Sequence, residues 1–258
     1  MKTPIVALAL LALVTGLATG QTALEPVAAR VRAQPLPPTG ETPLVVLTPG
    51  DHDTPRQTYS LVRVANPDGS VTVSWKSARV DSTQTFRADG TLIHARQADL
   101  VKNSSVEETV DPNRTSVRTV ITNQGQVKSD KKASLTPGIA LRGELQNLVV
   151  QAWKAGIRDG LKFQSLSPDG GLPGDFQVLF KTTSDPLDLS DKYTYPAEFR
   201  AALGKRDYVV ADMSLQGIAS FFYPHHFYLV YIPGPAGLEF AGYFGEDPKA
   251  PTFQFVSR

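Results

Sequence analysis

From Tyr59 onward the chain alternates. In YSLVRVA (59–65) and VTVSWKSA (71–78) apolar residues recur at every second position, and Asn66-Pro67-Asp68-Gly69 stands between the two runs. That is the pattern of a strand pair joined by a tight turn. STQTFR and TLIHARQ repeat it around Ala88-Asp89-Gly90. SVEETV and TSVRTVITN repeat it around Asp111-Pro112-Asn113-Arg114, and Asn123-Gln124-Gly125 leads into VKSDKKASL. Turn signals at this spacing predict an antiparallel meander with one packed face and one wet face.

One segment changes period. Leu141, Leu145, Leu148, Val149, Ala152, Trp153, Gly156 and Ile157 recur at three- and four-residue steps. This predicts a helix over roughly 141–158, preceded by Thr136-Pro137-Gly138 and stopped at Asp159-Gly160. Glu144, Gln146, Gln151 and Lys154 are assigned to its solvated face. Strand patterns then resume in LKFQSL and DFQVLFKTT, pause at a short helix from Pro196 to Leu203, and close the chain with YVVADMSL, HFYLVYI, LEFAGYF and TFQFVSR. The fold class expected is mainly β (α+β), a bent antiparallel sheet or half-barrel with one or two covering helices, the first against its concave face.

The N-terminus departs from this pattern. Lys2 followed by the apolar run Ile5–Val14 and then small residues has the layout of a secretory signal, so residues 1–20 are expected to be a signal peptide. The apolar stretch is short for a bilayer span, and no cysteine follows it to take a lipid. Residues 21–57 are rich in Pro, Gly and Thr and are expected to form an extended leader, with Pro43-Leu44-Val45-Val46-Leu47 as an edge strand. Residues 58–258 are then a single β-rich domain, long enough to bury its own core.

Composition narrows the setting. The chain has no cysteine, which removes disulfides, thiolate metal sites and cysteine nucleophiles. Export without disulfides suits a bacterial envelope protein, periplasmic or extracellular. A formal charge of +1 with scattered lysines argues against a nucleic-acid partner; Lys128, Lys131 and Lys132 are expected at a solvated hairpin tip.

Candidate chemistry is sparse. His225 and His226 are adjacent, so in a strand they point to opposite faces and do not grip one metal together. A weak metal alternative joins His52, Asp51 and Asp53 to His225, or to His226 in its place, and would make a metal-assisted hydrolase; no HExxH spacing supports it. No G-x-S-x-G elbow is present, Ser129-Asp130-Lys131-Lys132 matches S-x-x-K only formally, and GGLPGD (170–175) lacks the lysine of a phosphate loop. Glu107 and Glu108 face opposite ways, and Asp185, Asp188 and Asp191 read as turn and capping residues. The expectation is no cofactor and a non-catalytic role, with a structural assembly factor as a further alternative.

Aromatic residues concentrate at the C-terminal end, in SFFYPHHFYLVY (220–231) and after it. Packing accounts for most of such side chains. A curved sheet would leave some of them facing a hollow, and the candidate ligand-binding residues are therefore Phe222, Tyr223, Phe227, Tyr228, Tyr231, Tyr243 and Trp153. The expected partners are a hydrophobic small molecule, a lipid or an envelope protein.

GELQNLVVQAWKAGIRDG followed by LKFQSL, and the closing FYLVY, LEFAGYFGEDP and FQF segments, give the chain a resemblance to exported bacterial envelope proteins similar to the periplasmic lipoprotein carriers. The resemblance implies an open, strongly bent sheet cupping helices. Its motifs are packing motifs and carry no functional residue across.

Overall fold

A computed structural model describes residues 39–51, 55–166, 174–217, 220, 224–235, 237–245 and 248–257. The signal peptide and most of the leader expected from the sequence lie outside the described residues. None of the described helices is long and apolar enough to cross a membrane.

The meander forms as its alternation predicts. Strands β1 (Gly40–Leu47), β2 (Arg56–Ala65), β3 (Val71–Lys76), β4 (Val80–Phe86), β5 (Leu92–Asp99), β6 (Ser104–Val110), β7 (Ser116–Asn123) and β8 (Gln126–Ser134) pair antiparallel in sequence order. A short strand β9 (Ile139–Leu141) follows, then a 3-10 turn and helix α1 (Leu145–Lys154). Next come β10 (Gly160–Leu166), β11 (Gly174–Thr183), helix α2 (Ala197–Leu203), β12 (Tyr208–Leu215), β13 (His226–Gly234), β14 (Gly237–Gly245) and β15 (Thr252–Val256).

These fifteen described strands form one sheet, ordered β8-β7-β6-β5-β4-β3-β2-β1-β15-β14-β13-β12-β11-β10-β9. The two halves meet at one ladder, where Leu44, Val45, Val46 and Leu47 oppose Val256, Phe255, Gln254 and Phe253. β1 is therefore central, bonded to β2 on its other side, and not the edge strand expected. The difference has a simple cause: a partner at the far end of the chain leaves no local turn signal.

The order of strands forces curvature. Fifteen strands laid flat would put β8 and β9 roughly 65 Å apart. Yet these two margins are consecutive in sequence, and the link from Ser134 to Ile139 reaches at most about 18 Å. The sheet must curl until its margins meet. Leu135, Ile139, Leu141 and Leu166 pack there against Phe86, Leu92, Val110 and Val117, forming an apolar seam. The margin strand β8 is exposed along most of its length, so Lys128, Lys131 and Lys132 line an edge strand and do not sit at a hairpin tip. Charge on such an edge discourages pairing with another chain.

Alternation divides the C-terminal half between two cores. Val209, Ala211 and Met213 of β12 join Leu148, Val149 and Ala152 of α1 on the concave face. Tyr208 and Val210, in the opposite phase, join Phe199 and Leu203 of α2 together with Tyr193, Tyr195, Phe244 and Phe253 on the outer face.

Helix α1 is shorter than its periodicity predicts. Gly156 takes a left-handed conformation (φ 84°), its N–H returns to Trp153, and the Ile157 N–H returns to Ala152. This pair of bonds ends the helix before Asp159-Gly160. Two of its polar residues are also not solvated. Glu144 and Gln151 are 2% and 1% exposed. Glu144 is held by an arginine and two backbone amides. Gln151 lies over the β4–β5 turn at Gly90 (φ 80°), where an added Cβ would come within 2.2 Å of its Nε2.

Candidate ligand-binding site

The concave face of the N-terminal half is not filled. A cavity of about 540 Å³ lies over β2 to β7, within the range of small-molecule sites. Its wall is built by strand alternation: Tyr59, Leu61 and Arg63 from β2, Val73 and Trp75 from β3, Ser82, Gln84 and Phe86 from β4. Ala95 and Gln97 of β5, Val106 and Glu108 of β6, and Ile121 of β7 continue it. Gly143, Leu145, Gln146 and Asn147, at the start of α1, overhang the space, and Gln254 enters from β15. A side chain at position 143 would meet the Gln84 amide at 3.2 Å, so this glycine sets how closely the overhang approaches the wall.

Apolar and polar groups mix in this wall. The Tyr59 hydroxyl accepts a 2.8 Å hydrogen bond from the Gln254 amide, and burial pushes its phenol up to about 12. Burial lowers the pKa of the Arg63 guanidinium, and the Tyr231 phenol nearby acts weakly in the opposite direction. The Arg63 guanidinium makes no hydrogen bond or ion pair to any described residue. Ser82 Oγ is buried and unpartnered among the described residues. Asp99 is held low chiefly by the Lys102 backbone N–H, and Arg79 and Lys102 add to this.

The aromatic residues singled out in the sequence lie elsewhere. Tyr228 is buried in the outer core, stacked on Phe244 at 4.5 Å. Tyr231 is buried in the inner core, edge-on to Phe240. Phe227 and Tyr243 are half-buried against the same inner core. Trp153 meets Phe180 edge-on at 5.5 Å and carries the Arg158 guanidinium 3.9 Å above its ring. None of these five lines the cavity. Phe222 and Tyr223 lie outside the described residues.

Of the suggested metal set, His52 and Asp53 lie outside the described residues, and Asp51 is ion-paired to Arg79 at 2.5 Å. Among the described residues no group of three or more His, Asp and Glu side chains could hold a metal ion. His226 has a defined structural role. Its Nδ1 is 2.6 Å from the nearly buried Asp212 carboxylate, whose other oxygen accepts from Lys181 Nζ at 2.6 Å. Unlike those of the two cores, the aromatic residues of the lumen wall, Tyr59, Trp75 and Phe86, are scattered along the sequence and do not announce it. A readable signal is present in YSLVRVA, where Arg63 shares the phase of Tyr59 and Leu61 and so faces the same side.

No protein-family model and no curated protein matches the sequence. Among solved structures the chain is similar to the crystal structure of a beta-barrel-like protein of domain of unknown function DUF1849 from Brucella abortus. The match has a TM-score of 0.50 at 9% identity, over 85% of this chain and 96% of that chain. At that identity the likeness is one of fold, a curved sheet of barrel-like form.

Proposed function

We propose that this protein is an exported, non-catalytic envelope protein that holds a hydrophobic or amphipathic ligand in the lumen of its curled sheet, in the manner of the periplasmic lipoprotein carriers. The observation that carries this reading is the cavity itself. Protein interiors are close-packed, and the C-terminal half fills its concave face in this way with α1. The N-terminal half instead leaves about 540 Å³ lined by Leu61, Val73, Trp75, Val106 and Ile121 together with many polar side chains, among them Ser82, Gln84, Gln97 and Glu108. A concave wall that offers apolar surface and polar groups side by side suits a ligand that is itself partly apolar and partly polar.

The test is a titration with the neutral apolar dye N-phenyl-1-naphthylamine, read by dye fluorescence and by quenching of the tryptophans. Saturable binding, lost when Val106→Trp fills the lumen of a still-folded variant, is the expected result. Absence of binding, or binding indifferent to Val106→Trp, overturns the proposal. Export forms part of the same reading, and N-terminal sequencing of protein secreted from a bacterial host checks for removal of residues 1–20.

A further inference from the structure

We infer that the ligand of the lumen is an anionic amphiphile whose carboxylate or phosphate head group pairs with Arg63. This rests on the lumen being a ligand site and specifies what that site selects.

Arg63 is an unmatched cation. It lies on the lumen wall between Leu61 and the end of β2, and a guanidinium carries five N–H donors in a fixed fork. Surface arginines satisfy these with water or a neighbouring carboxylate. Here the guanidinium has no acceptor among the described residues. Partial removal from water already disfavours its charged form. Burying a charge without a partner is costly, and the cost is relieved by an oxygen anion in bidentate geometry.

The other charges of the lumen do not supply that partner. Asp99 is committed to the Val101 and Lys102 amides and to the Arg79 and Lys102 side chains. Glu108 has interactions of its own, and no carboxylate is among the groups that act on the charge of Arg63.

One further group points the same way. Ser82 lies in the lumen wall, and its hydroxyl has no partner among the described residues. Buried polar groups are normally satisfied, so an orphaned hydroxyl in the wall of a cavity marks where a polar ligand atom fits. Leu61, Val73, Trp75, Val106 and Ile121 offer the apolar surface for the rest of such a molecule. A neutral amphiphile would fill the same space and leave the guanidinium both desolvated and unpaired.

The experiment compares ligands that share a twelve-carbon chain: laurate, dodecyl phosphate, dodecanol and dodecylamine. Each is titrated below its aggregation threshold by calorimetry into the wild-type protein, Arg63→Gln and Arg63→Lys, with thermal melts to show that each variant is folded. The expected result is that at least one of the two anions binds the wild type about tenfold or more tighter than dodecanol. Arg63→Gln should remove that preference while leaving dodecanol binding in place, and Arg63→Lys should restore part of it. Whichever anion is preferred identifies the head group as carboxylate or phosphate. Equal binding of anions and dodecanol to the wild type overturns the inference and leaves the lumen as a ligand site. A preference for dodecylamine, or an anion preference that survives in Arg63→Gln, overturns it in the same way. Failure of all four amphiphiles to bind removes the ligand site itself, and the inference with it.

Discussion

Arg114 grips Glu144 with both of its terminal nitrogens, Nη1 at 2.7 Å from Oε1 and Nη2 at 2.8 Å from Oε2. The carboxylate also accepts the backbone N–H groups of Leu92 in β5 and Leu141 in β9, at 2.7 and 2.9 Å. Arg114 Nη2 reaches the Ile139 carbonyl at 2.9 Å as well. One buried ion pair thus ties the β6–β7 turn, β5 and β9 together, at the place where the curled sheet meets itself. Removing one partner leaves the other charge buried and unmatched. Arg114→Met should therefore cost about 3–5 kcal/mol in urea unfolding, far more than an exposed-pair control such as Arg118→Met. A cost no larger than the control's would show that the pair does not hold the seam.

Acid should act through the same turn. Asp111 accepts from the Thr115 N–H and from the hydroxyls of Thr115 and Ser116, which shapes the loop that presents Arg114 in a left-handed conformation (φ 57°). These bonds, led by the Thr115 hydroxyl, hold the Asp111 carboxyl well below the usual carboxylate range. Its folded pKa is thus lower than its unfolded one. The stabilisation it contributes is full above the unfolded value of 3.8 and is lost as pH falls from there toward the folded value. Urea midpoints measured from pH 6 to pH 2 should fall on the acid side in the wild type, and Asp111→Asn should flatten part of that slope. An unchanged slope in the variant would refute the assignment.

Gln151 makes the opposite prediction. Both polar atoms of its side chain are buried without a partner among the described residues. Their desolvation is uncompensated, so Gln151→Met, similar in size, should raise stability by about 1 kcal/mol. Gly90→Ala should lower it, because the new Cβ needs a positive φ and collides with the Gln151 amide. Thermal melts of the two variants should move in opposite directions.

The outer-face histidine is expected to be structural. His226→Gln loses one bond to Asp212, whereas Asp212→Ala strips the acceptor from both His226 and Lys181. Urea unfolding should show a loss of about 1 kcal/mol for the first and a larger loss for the second. The double variant His225→Gln/His226→Gln should stay folded and retain ligand binding in the lumen. A larger loss for His226→Gln than for Asp212→Ala would contradict this.

Much of the architecture was legible in the sequence because it is local. Turns such as Asn66–Gly69 and Asp111–Arg114 mark their own hairpins, and the three-residue step from Leu145 to Leu148 marks its own helix. What was not legible depends on residues distant in sequence. β9 is three residues long and pairs parallel to β10 across α1, so no turn announces it. Glu144 reads as a solvated helix residue until Arg114 is brought to it. The position of the cavity was hidden for a related reason. Aromatic density marks where a core is filled, as Tyr193, Phe199, Tyr228 and Phe244 fill it, whereas a hollow is marked by a polar residue in an apolar phase, as Arg63 is.

The β1–β15 ladder has a consequence for how the molecule forms. Every other strand pairing joins near neighbours along the chain, so each half can assemble by successive short-range steps. Among the described strand ladders this stitch, four residue pairs wide, is the one that brings together positions about 200 residues apart, and the entropic toll of so large a ring is charged once, at a single event. That event should govern the rate of folding, since it is the one step whose contacts arrive only after a long search.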